Sequence, residues 1–472
     1  MKRVVIIGGG IAGLSTAYSL IEHSRLKGVK DPHITIIEKS ANLGGNIKTE
    51  KIDGFLVEGG PDCFLSEKPW AMELIKRLGI ETSLLPTRKP RGKTFVYHKG
   101  KLRLLPEGVI LMVPTRMFPL ATSSLITIPG KIRMALEFFI PKRKEKTDES
   151  LGDFVRRRLG KEALDKIAEP LVAGVHAGDP ETMSVRASFP KFVELEEKHG
   201  SLIRGMLARI KQMRAHAKPG AKSNITMFMT LRHGLIELVS AIVSKLEGVE
   251  IKTGAGVKGV LKKEGGYEVL VDGGHSIEAD SVVIAAPAYV ASELVKALDK
   301  ELSEKLLSIP YVSTATVSIG YKRKDIAHPL DGFGFIVPKI EKRKLMAATW
   351  SSIKWEGRAP EDSVLIRCFI GGAKNEELVS LNDKDMTGVA LSELKEIMGI
   401  DAEPLFIRIF RWIKAMPQYT IGHEERVSKI EELTGRHAGL YFTGSAFKGI
   451  GISDTVREGE VTAKKVLRYL GH

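Results

Sequence analysis

The sequence predicts an α/β protein, α+β overall, from three observations. An apolar strand run near the N-terminus is closed by a glycine cluster and followed by a helical pattern. Short apolar strand runs return in the middle and at the end of the chain, separated by glycine pairs. Between them lies a basic stretch with helical periodicity and no strand-turn rhythm. The 472 residues suggest two or three domains at roughly 150 residues each. With 43% hydrophobic and 27% charged residues, the composition is that of a globular chain and excludes disordered, collagenous and polytopic membrane classes.

Taken in order, Val4-Val5-Ile6-Ile7 reads as a buried strand, and Leu14, Ala17, Tyr18 and Ile21 follow at helical spacing. His33 to Ile37 is a second strand ending in Glu38, and Trp70 to Leu78 a short amphipathic helix. Residues 87–222 read as a helix-rich insertion, with Leu151 to Leu171 and Val193 to Arg214 helical. From Val249 to Ala285 the Gly265-Gly266 and Gly273-Gly274 pairs mark hairpins that run into a buried strand, Ser281 to Ala286. Tyr311 to Tyr321, Gly334 to Pro338, Leu345 to Thr349 and Val364 to Ile370 form another β-rich set. Leu440 to Gly444 is a strand leading into a helix from Thr455 to Leu470. These elements divide the chain into a discontinuous nucleotide-type domain (1–86, 223–300 and 426–472), the insertion (87–222) and a β-sheet substrate domain (301–425).

Nearly all of the net charge of +15 sits in the insertion, which holds 28 Lys/Arg against 14 Asp/Glu, and Lys198 to Arg232 contains no acid. An anionic partner for that region is expected: a polycarboxylate, an anionic membrane surface or nucleic acid. It has no nucleic-acid-binding motif and few interleaved aromatics, so nucleic acid is excluded as the expected partner. The most apolar stretch, Gly108 to Gly130, contains Arg116 and three prolines and does not read as a spanning helix. Cys63 and Cys368 are the two cysteines, too few for a disulfide framework, so a cytoplasmic setting is expected, with peripheral membrane association left open.

Gly8-x-Gly10-x-x-Gly13 directly follows a strand and opens a helix. In such a Rossmann-like unit the glycines allow a tight turn, close approach of a pyrophosphate, and helix–strand packing. The helix N-terminus offers free N–H groups to the phosphates. Glu38, 25 residues after Gly13, is placed for a ribose hydroxyl and disfavours a 2′-phosphate, which argues against NADP.

Leu43-Gly44-Gly45-Asn46 follows, then Asp53-Gly54-Phe55-x-x-Glu58-x-Gly60-Pro61-Asp62, and the C-terminus carries Phe442-Thr443-Gly444-Ser445-Ala446 through Asp454. These motifs resemble the flavin signatures of the amine oxidase and protoporphyrinogen oxidase superfamily, which implies FAD rather than NAD. That superfamily usually has a basic residue where this chain has Asn46. By this resemblance FAD contacts are expected from Gly8, Gly9, Gly10, Ile11, Ala12 and Gly13, from Glu38 and Lys39, and from Gly45 and Asn46. Others are expected from Gly60, Pro61, Asp62 and Cys63 near the isoalloxazine, Val257 near the adenine, Trp412 against the flavin, and Gly444, Ile450, Gly451 and Ile452. As a bare residue Asp454 reads as an N-cap.

Glu169 to Asp179, Arg411-Trp412, Met416-Pro417-Gln418-Tyr419-x-x-Gly422-His423 and Gly449 to Asp454 resemble one branch, the oxygen-dependent porphyrinogen oxidases, and most of all their Gram-positive, coproporphyrinogen III type. The resemblance implies a six-electron oxidation of a porphyrinogen, with dioxygen as acceptor and hydrogen peroxide as by-product; hand-off of the product to a ferrochelatase is left open. The cofactor carries the hard chemistry, and no catalytic base is named. The basic excess favours the substrate with four propionates over protoporphyrinogen with two, with Lys68, Arg88, Lys89, Arg91 and Lys93 as candidate partners. Taken alone, each of these reads as solvated surface, and His176 and His423 as structural histidines. No metal-ligand spacing or nucleophile elbow is present. The rival readings are an amine oxidase or carotenoid desaturase on the same scaffold, and a flavin-fold carrier without turnover.

Overall fold

A computed structural model describes residues 2–88, 92–110, 113–114, 117–216 and 224–471. Five parallel strands form the first sheet, in the order Glu250–Thr253, His33–Glu38, Arg3–Ile7, Ser281–Ile284 and Leu440–Phe442. Val4 to Ile7, Ile34 to Ile37 and Val282 to Ile284 are buried, as continuous apolar runs must be when both faces of a parallel sheet are covered. One covering layer pairs the helix Ile11–Leu26 with the C-terminal helix Ile452–Tyr469. A Cβ on Gly459 would lie 3.0 Å from the Ala12 carbonyl oxygen, so only glycine lets these helices approach so closely. Three distant parts of the chain thus meet in one sheet, whose carboxyl ends all point the same way.

The second sheet has seven strands, in the order Phe406–Pro417, Tyr311–Lys322, Ser363–Gly371, Leu345–Trp350, Gly334–Ile336, Thr94–His98 and Lys101–Leu104. All neighbours are antiparallel except Gly334–Ile336 with Thr94–His98. Residues 94–104, expected within the helix-rich insertion, are therefore two strands of this sheet. Lys99 and Gly100 both take positive φ (51° and 73°), the geometry of a two-residue hairpin turn. The alternation Thr94-Phe95-Val96-Tyr97-His98 was masked by the basic residues around it.

The helices of the insertion begin at Met117 and run to His216. The helix expected over Leu151 to Leu171 breaks at Gly160 (φ 94°), continues through a π-helical turn, Leu164–Ala168, and resumes as Glu169–His176. The one expected over Val193 to Arg214 is two helices, Pro190–His199 and Leu202–His216, parted at Gly200 (φ 69°). At the centre of this unit Arg158 and Glu137, both fully buried, form an ion pair. Glu137 also accepts from the Ser201 hydroxyl (2.6 Å) and the Leu202 N–H (2.8 Å). Among the described residues, no helix is long and apolar enough to cross a membrane.

Candidate active site

The glycine loop sits at the carboxyl end of Arg3–Ile7, where the parallel sheet opens. A Cβ on Gly8 would lie 2.6 Å from the Ala285 carbonyl oxygen, one on Gly9 2.4 Å from Leu43 Cδ2, and one on Gly13 2.0 Å from the Gly8 carbonyl oxygen. Gly10 meets only Gly45, at 3.8 Å, so its open side is where a ligand backbone can lie. The helix that follows has Gly10 at its N-cap, no side-chain cap and no acid in its first turn, so Ile11, Ala12 and Gly13 present main-chain N–H groups there. Glu38 accepts from the N–H of Gly9 (2.6 Å) and of Ser40 (2.8 Å), which orients its carboxylate beside the loop. Lys39 is exposed. Ala255 N–H donates to the Glu38 carbonyl at 3.0 Å, which brings Val257 to the same edge of the sheet.

Gly45 and Asn46 pack under the loop through the Gly44 N–H, which donates to the Gly9 carbonyl (2.9 Å). A Cβ on Gly60 would lie 1.7 Å from the Asn46 carbonyl oxygen. The next residues are gripped by the seven-stranded sheet. The Gly59 carbonyl accepts from Trp412 Nε1 (2.9 Å), Thr316 Oγ1 (3.0 Å) and Arg367 Nη2 (2.9 Å), and Arg367 also reaches the Gly60 carbonyl. Asp62, beyond Pro61, accepts from Lys354 Nζ (3.1 Å) and Trp355 Nε1 (3.0 Å). Burial raises the Asp62 pKa, but the Lys354 and Arg367 charges and the hydrogen bonds from Trp355 and Cys63 outweigh it and hold the carboxyl well below the usual range. Burial and the Asp62 charge push the neighbouring Cys63 thiol up.

At the other side Gly444 (φ 124°) lies 3.8 Å from Ala12 Cβ by its own would-be Cβ, joining the C-terminal strand to the first helix. The loop after it is fixed by Tyr419, whose hydroxyl donates to the Ser445 carbonyl (2.7 Å) and accepts from the Gly449 N–H (2.7 Å). His423 stacks on Tyr419 at 3.8 Å and donates from Nε2 to the Phe447 carbonyl (3.0 Å). Ile450 and Gly451 end that loop, and Ile452 opens the C-terminal helix. Gly451, not Asp454, is its N-cap residue; Asp454 lies within the first turn and pairs with Lys68. Burial and the Lys68 charge bring the His176 pKa down to about 4.

Of the candidate carboxylate partners, Lys68 faces this cluster and is 37% exposed. Arg88 is exposed, and its main chain joins the cluster through a bond to the Lys354 carbonyl (3.1 Å). Lys93 pairs with Asp331 at the surface, 2.9 Å away, and Lys89 and Arg91 lie outside the described residues. Lys354 and Arg367 were missed. Arg367 carried a signal, being the only charge in the apolar strand Ser363–Gly371, where a buried charge demands partners. The site thus offers an uncapped helix terminus, an open face at Gly10 and a second helix start. These features fit an extended, pyrophosphate-bearing dinucleotide.

Residues 11–467 match the family of flavin containing amine oxidoreductases. The chain is 35% identical over 470 residues to coproporphyrinogen III oxidase of Bacillus subtilis (strain 168), covering 99% of this chain and 98% of that one. It is 30% identical to the chloroplastic protoporphyrinogen oxidase of Oryza sativa subsp. japonica, over 99% and 88% of the two chains. A crystal structure from Exiguobacterium sp. 255-15, named for protoporphyrinogen oxidase, superposes with a TM-score of 0.85 at 31% identity, covering 100% of this chain and 99% of that one. The chain belongs to the flavin containing amine oxidoreductases and is an FAD-dependent oxidoreductase.

Proposed function

We propose that the protein oxidises coproporphyrinogen III to coproporphyrin III, with dioxygen as acceptor and hydrogen peroxide as by-product, within haem synthesis. The observation that carries this reading is the 35% identity, end to end, with the Bacillus subtilis coproporphyrinogen III oxidase. Bound FAD supplies a hydride acceptor that dioxygen regenerates. The chain's own part is to bind, orient and shield. In this reading Gly8 to Gly13 and the free N–H groups of the first helix hold the pyrophosphate, and Glu38 takes the ribose. Asn46, Gly60 to Cys63 and Trp412 line the ring, and the start of the C-terminal helix at Gly451 and Ile452 faces it with its positive end. His176 stays neutral at physiological pH, because its pKa lies near 4.

Protoporphyrinogen IX is the second reading, favoured by the rice relative. The test is porphyrin fluorescence under oxygen after mixing the flavin-loaded enzyme with each anaerobically prepared substrate. A higher kcat/KM for coproporphyrinogen supports the assignment, and a preference for protoporphyrinogen reverses it. Oxidation of neither, with the flavin bound and reducible, removes both.

The same reading includes peripheral contact with an anionic membrane. Ile128, Ile132, Leu136 and Phe139 recur at helical spacing and are all exposed, Phe139 to 75%. Arg204 lies 4.0 Å over the neighbouring Phe138 ring. Co-sedimentation with anionic but not zwitterionic vesicles, lost in Ile132→Asp, is the expected result. Hand-off to a ferrochelatase completes the reading, and cross-linking of the two purified enzymes during turnover tests it.

A further inference from the structure

We propose that Glu67 occupies, in the free enzyme, the place of a substrate carboxylate, within an anion site built by Lys191 and Arg209. The inference rests on the tetracarboxylate reading above and assigns its specificity to particular residues.

Glu67 lies in the link between Phe64–Leu65, which continues the Gly59 to Cys63 loop, and the helix Trp70–Arg77. The link is tied on both sides of it. Ser66 donates from its N–H to the Met227 carbonyl (3.0 Å) and from its hydroxyl to the Thr226 carbonyl (2.7 Å). Lys68 is drawn to Asp454 at the start of the C-terminal helix. Held between these ties, the Glu67 carboxylate reaches across to the helical insertion, where Lys191 of Pro190–His199 and Arg209 of Leu202–His216 both close on the same oxygen, Oε1. Two cations on separate helices thus converge on one acid contributed by the other domain. Among the described residues, neither cation forms an ion pair with any other carboxylate. Burial pushes the Glu67 pKa up, but its hydrogen bonds and charge contacts with Lys191 and Arg209 outweigh it and keep the group ionised.

The position suits exchange. The side chains of Glu67, Lys191 and Arg209 are 38%, 42% and 34% exposed, and ion pairs this open to solvent are weak. A ligand carboxylate can replace Glu67 at small cost and gain a charge-assisted contact with the guanidinium. The site also adjoins the reaction centre. Lys68 is close enough to depress the His176 pKa. The His176 ring meets Phe189 at 5.3 Å, and Phe189 leads directly into Pro190 and Lys191. Lys68, with Asp454 and His176 as its neighbours, is thus one residue along the chain from Glu67 and its partners Lys191 and Arg209. The insertion supplies the two cations, and Glu67 is the acid that pairs with both. A substrate with four carboxylates can fill this site and still engage Lys68, whereas one with two has fewer to place.

Binding of the two porphyrin products to the FAD-loaded enzyme, followed by porphyrin fluorescence, tests the assignment without turnover. Glu67→Gln removes the internal competitor, so coproporphyrin III binds about threefold to fivefold tighter while protoporphyrin IX changes little. Arg209→Met weakens coproporphyrin III about tenfold with a smaller effect on protoporphyrin IX. Wild-type FAD content in both variants shows that the cofactor domain is intact. Unchanged or weaker coproporphyrin binding in Glu67→Gln overturns the proposal, as does an equal loss for both porphyrins in Arg209→Met. If the wild-type enzyme bound neither porphyrin, the substrate reading would fall and take this assignment with it.

Discussion

The indole N–H of Trp412 donates to the main-chain carbonyl of Gly59 at 2.9 Å, although the two residues are 353 positions apart. The same oxygen accepts from Thr316 and Arg367, so three strands of the seven-stranded sheet grip one peptide group of the Gly59 to Cys63 loop. A carbonyl has two lone pairs, and three donors over-determine its position. The seven-stranded sheet in this way fixes the position of the Gly59 to Cys63 loop.

Trp412→Phe keeps the ring and removes one donor of three. Its FAD dissociation constant is expected to rise about threefold to tenfold, the worth of one hydrogen bond. Arg367→Met is expected to act more strongly, because it removes the contacts to both Gly59 and Gly60 and one of the charges that hold Asp62 ionised. Flavin fluorescence on dilution of the holoenzyme measures both.

Gly60→Ala places a methyl group 1.7 Å from the Asn46 carbonyl oxygen, which is main chain and cannot rotate away. The Asn46 and Gly60 loops must separate, and, with both proposed to hold the cofactor, the variant is expected to purify without FAD. Gly388→Ala is the control: it lies in the helix Asp383–Met398 and has nothing within 4 Å of its would-be Cβ. That variant is expected to retain FAD and gain up to about 1 kcal/mol in stability. The absorbance ratio of flavin to protein, with melting temperature, separates the two cases.

The parallel sheet was legible because its strands are buried on both faces and spell continuous runs such as Val4 to Ile7. The glycine loop was legible because its backbone tolerates no side chain at Gly8, Gly9 or Gly13. Residues 94–104 escaped because charge composition outweighed a five-residue alternation. The strand Phe406–Pro417 escaped because Arg408, Arg411 and Lys414 interrupt its apolar pattern on the exposed edge of the sheet. The grip on Gly59 could not be read at all, since its donors Thr316, Arg367 and Trp412 share no spacing with it. Tyr419 was visible only as part of a motif; its bonds to Ser445 and Gly449 explain why that motif and the C-terminal loop belong together.

His423 and His176 each have a folded-state pKa near 4, lowered first by burial. An unfolded chain takes up these protons near pH 6.5, so it binds more protons than the folded chain between pH 6.5 and 4. Their contribution to stability is therefore complete above pH 6.5 and is lost as the pH falls toward 4. For His423, only 1% exposed, the loss is about 2–3 kcal/mol across that window. His423→Phe is expected to be less stable at pH 8, because the Phe447 carbonyl loses its donor. Its melting temperature is also expected to fall less steeply than the wild type's between pH 6.5 and 4.5. An identical slope would place the acid sensitivity elsewhere.

The Arg158–Glu137 pair makes the insertion sensitive to a single charge change. Both side chains are fully buried. Arg158 also donates to the carbonyls of Ile140 (2.9 Å) and Gly200 (3.0 Å), while Glu137 caps the start of Leu202–His216 through the Leu202 and Ile203 N–H groups. Glu137→Ala leaves the buried guanidinium with only the longer contact to Glu196 (3.4 Å) and uncaps that helix, a loss of about 3–5 kcal/mol. Arg158→Met strands the carboxylate, but two main-chain N–H groups and the Ser201 hydroxyl still solvate it, so a smaller loss is expected. Replacing both partners together, as Glu137→Leu with Arg158→Met, removes both charges of the pair, leaves Glu196 its Arg157 partner at 2.6 Å, and is expected to be less harmful than Glu137→Ala alone. Because the pair lies inside the insertion and the flavin loops belong to other segments, limited proteolysis is expected to cut Glu137→Ala within residues 117–216 while FAD stays bound. Loss of flavin in step with cleavage would instead show that the insertion and the cofactor domain unfold as one unit.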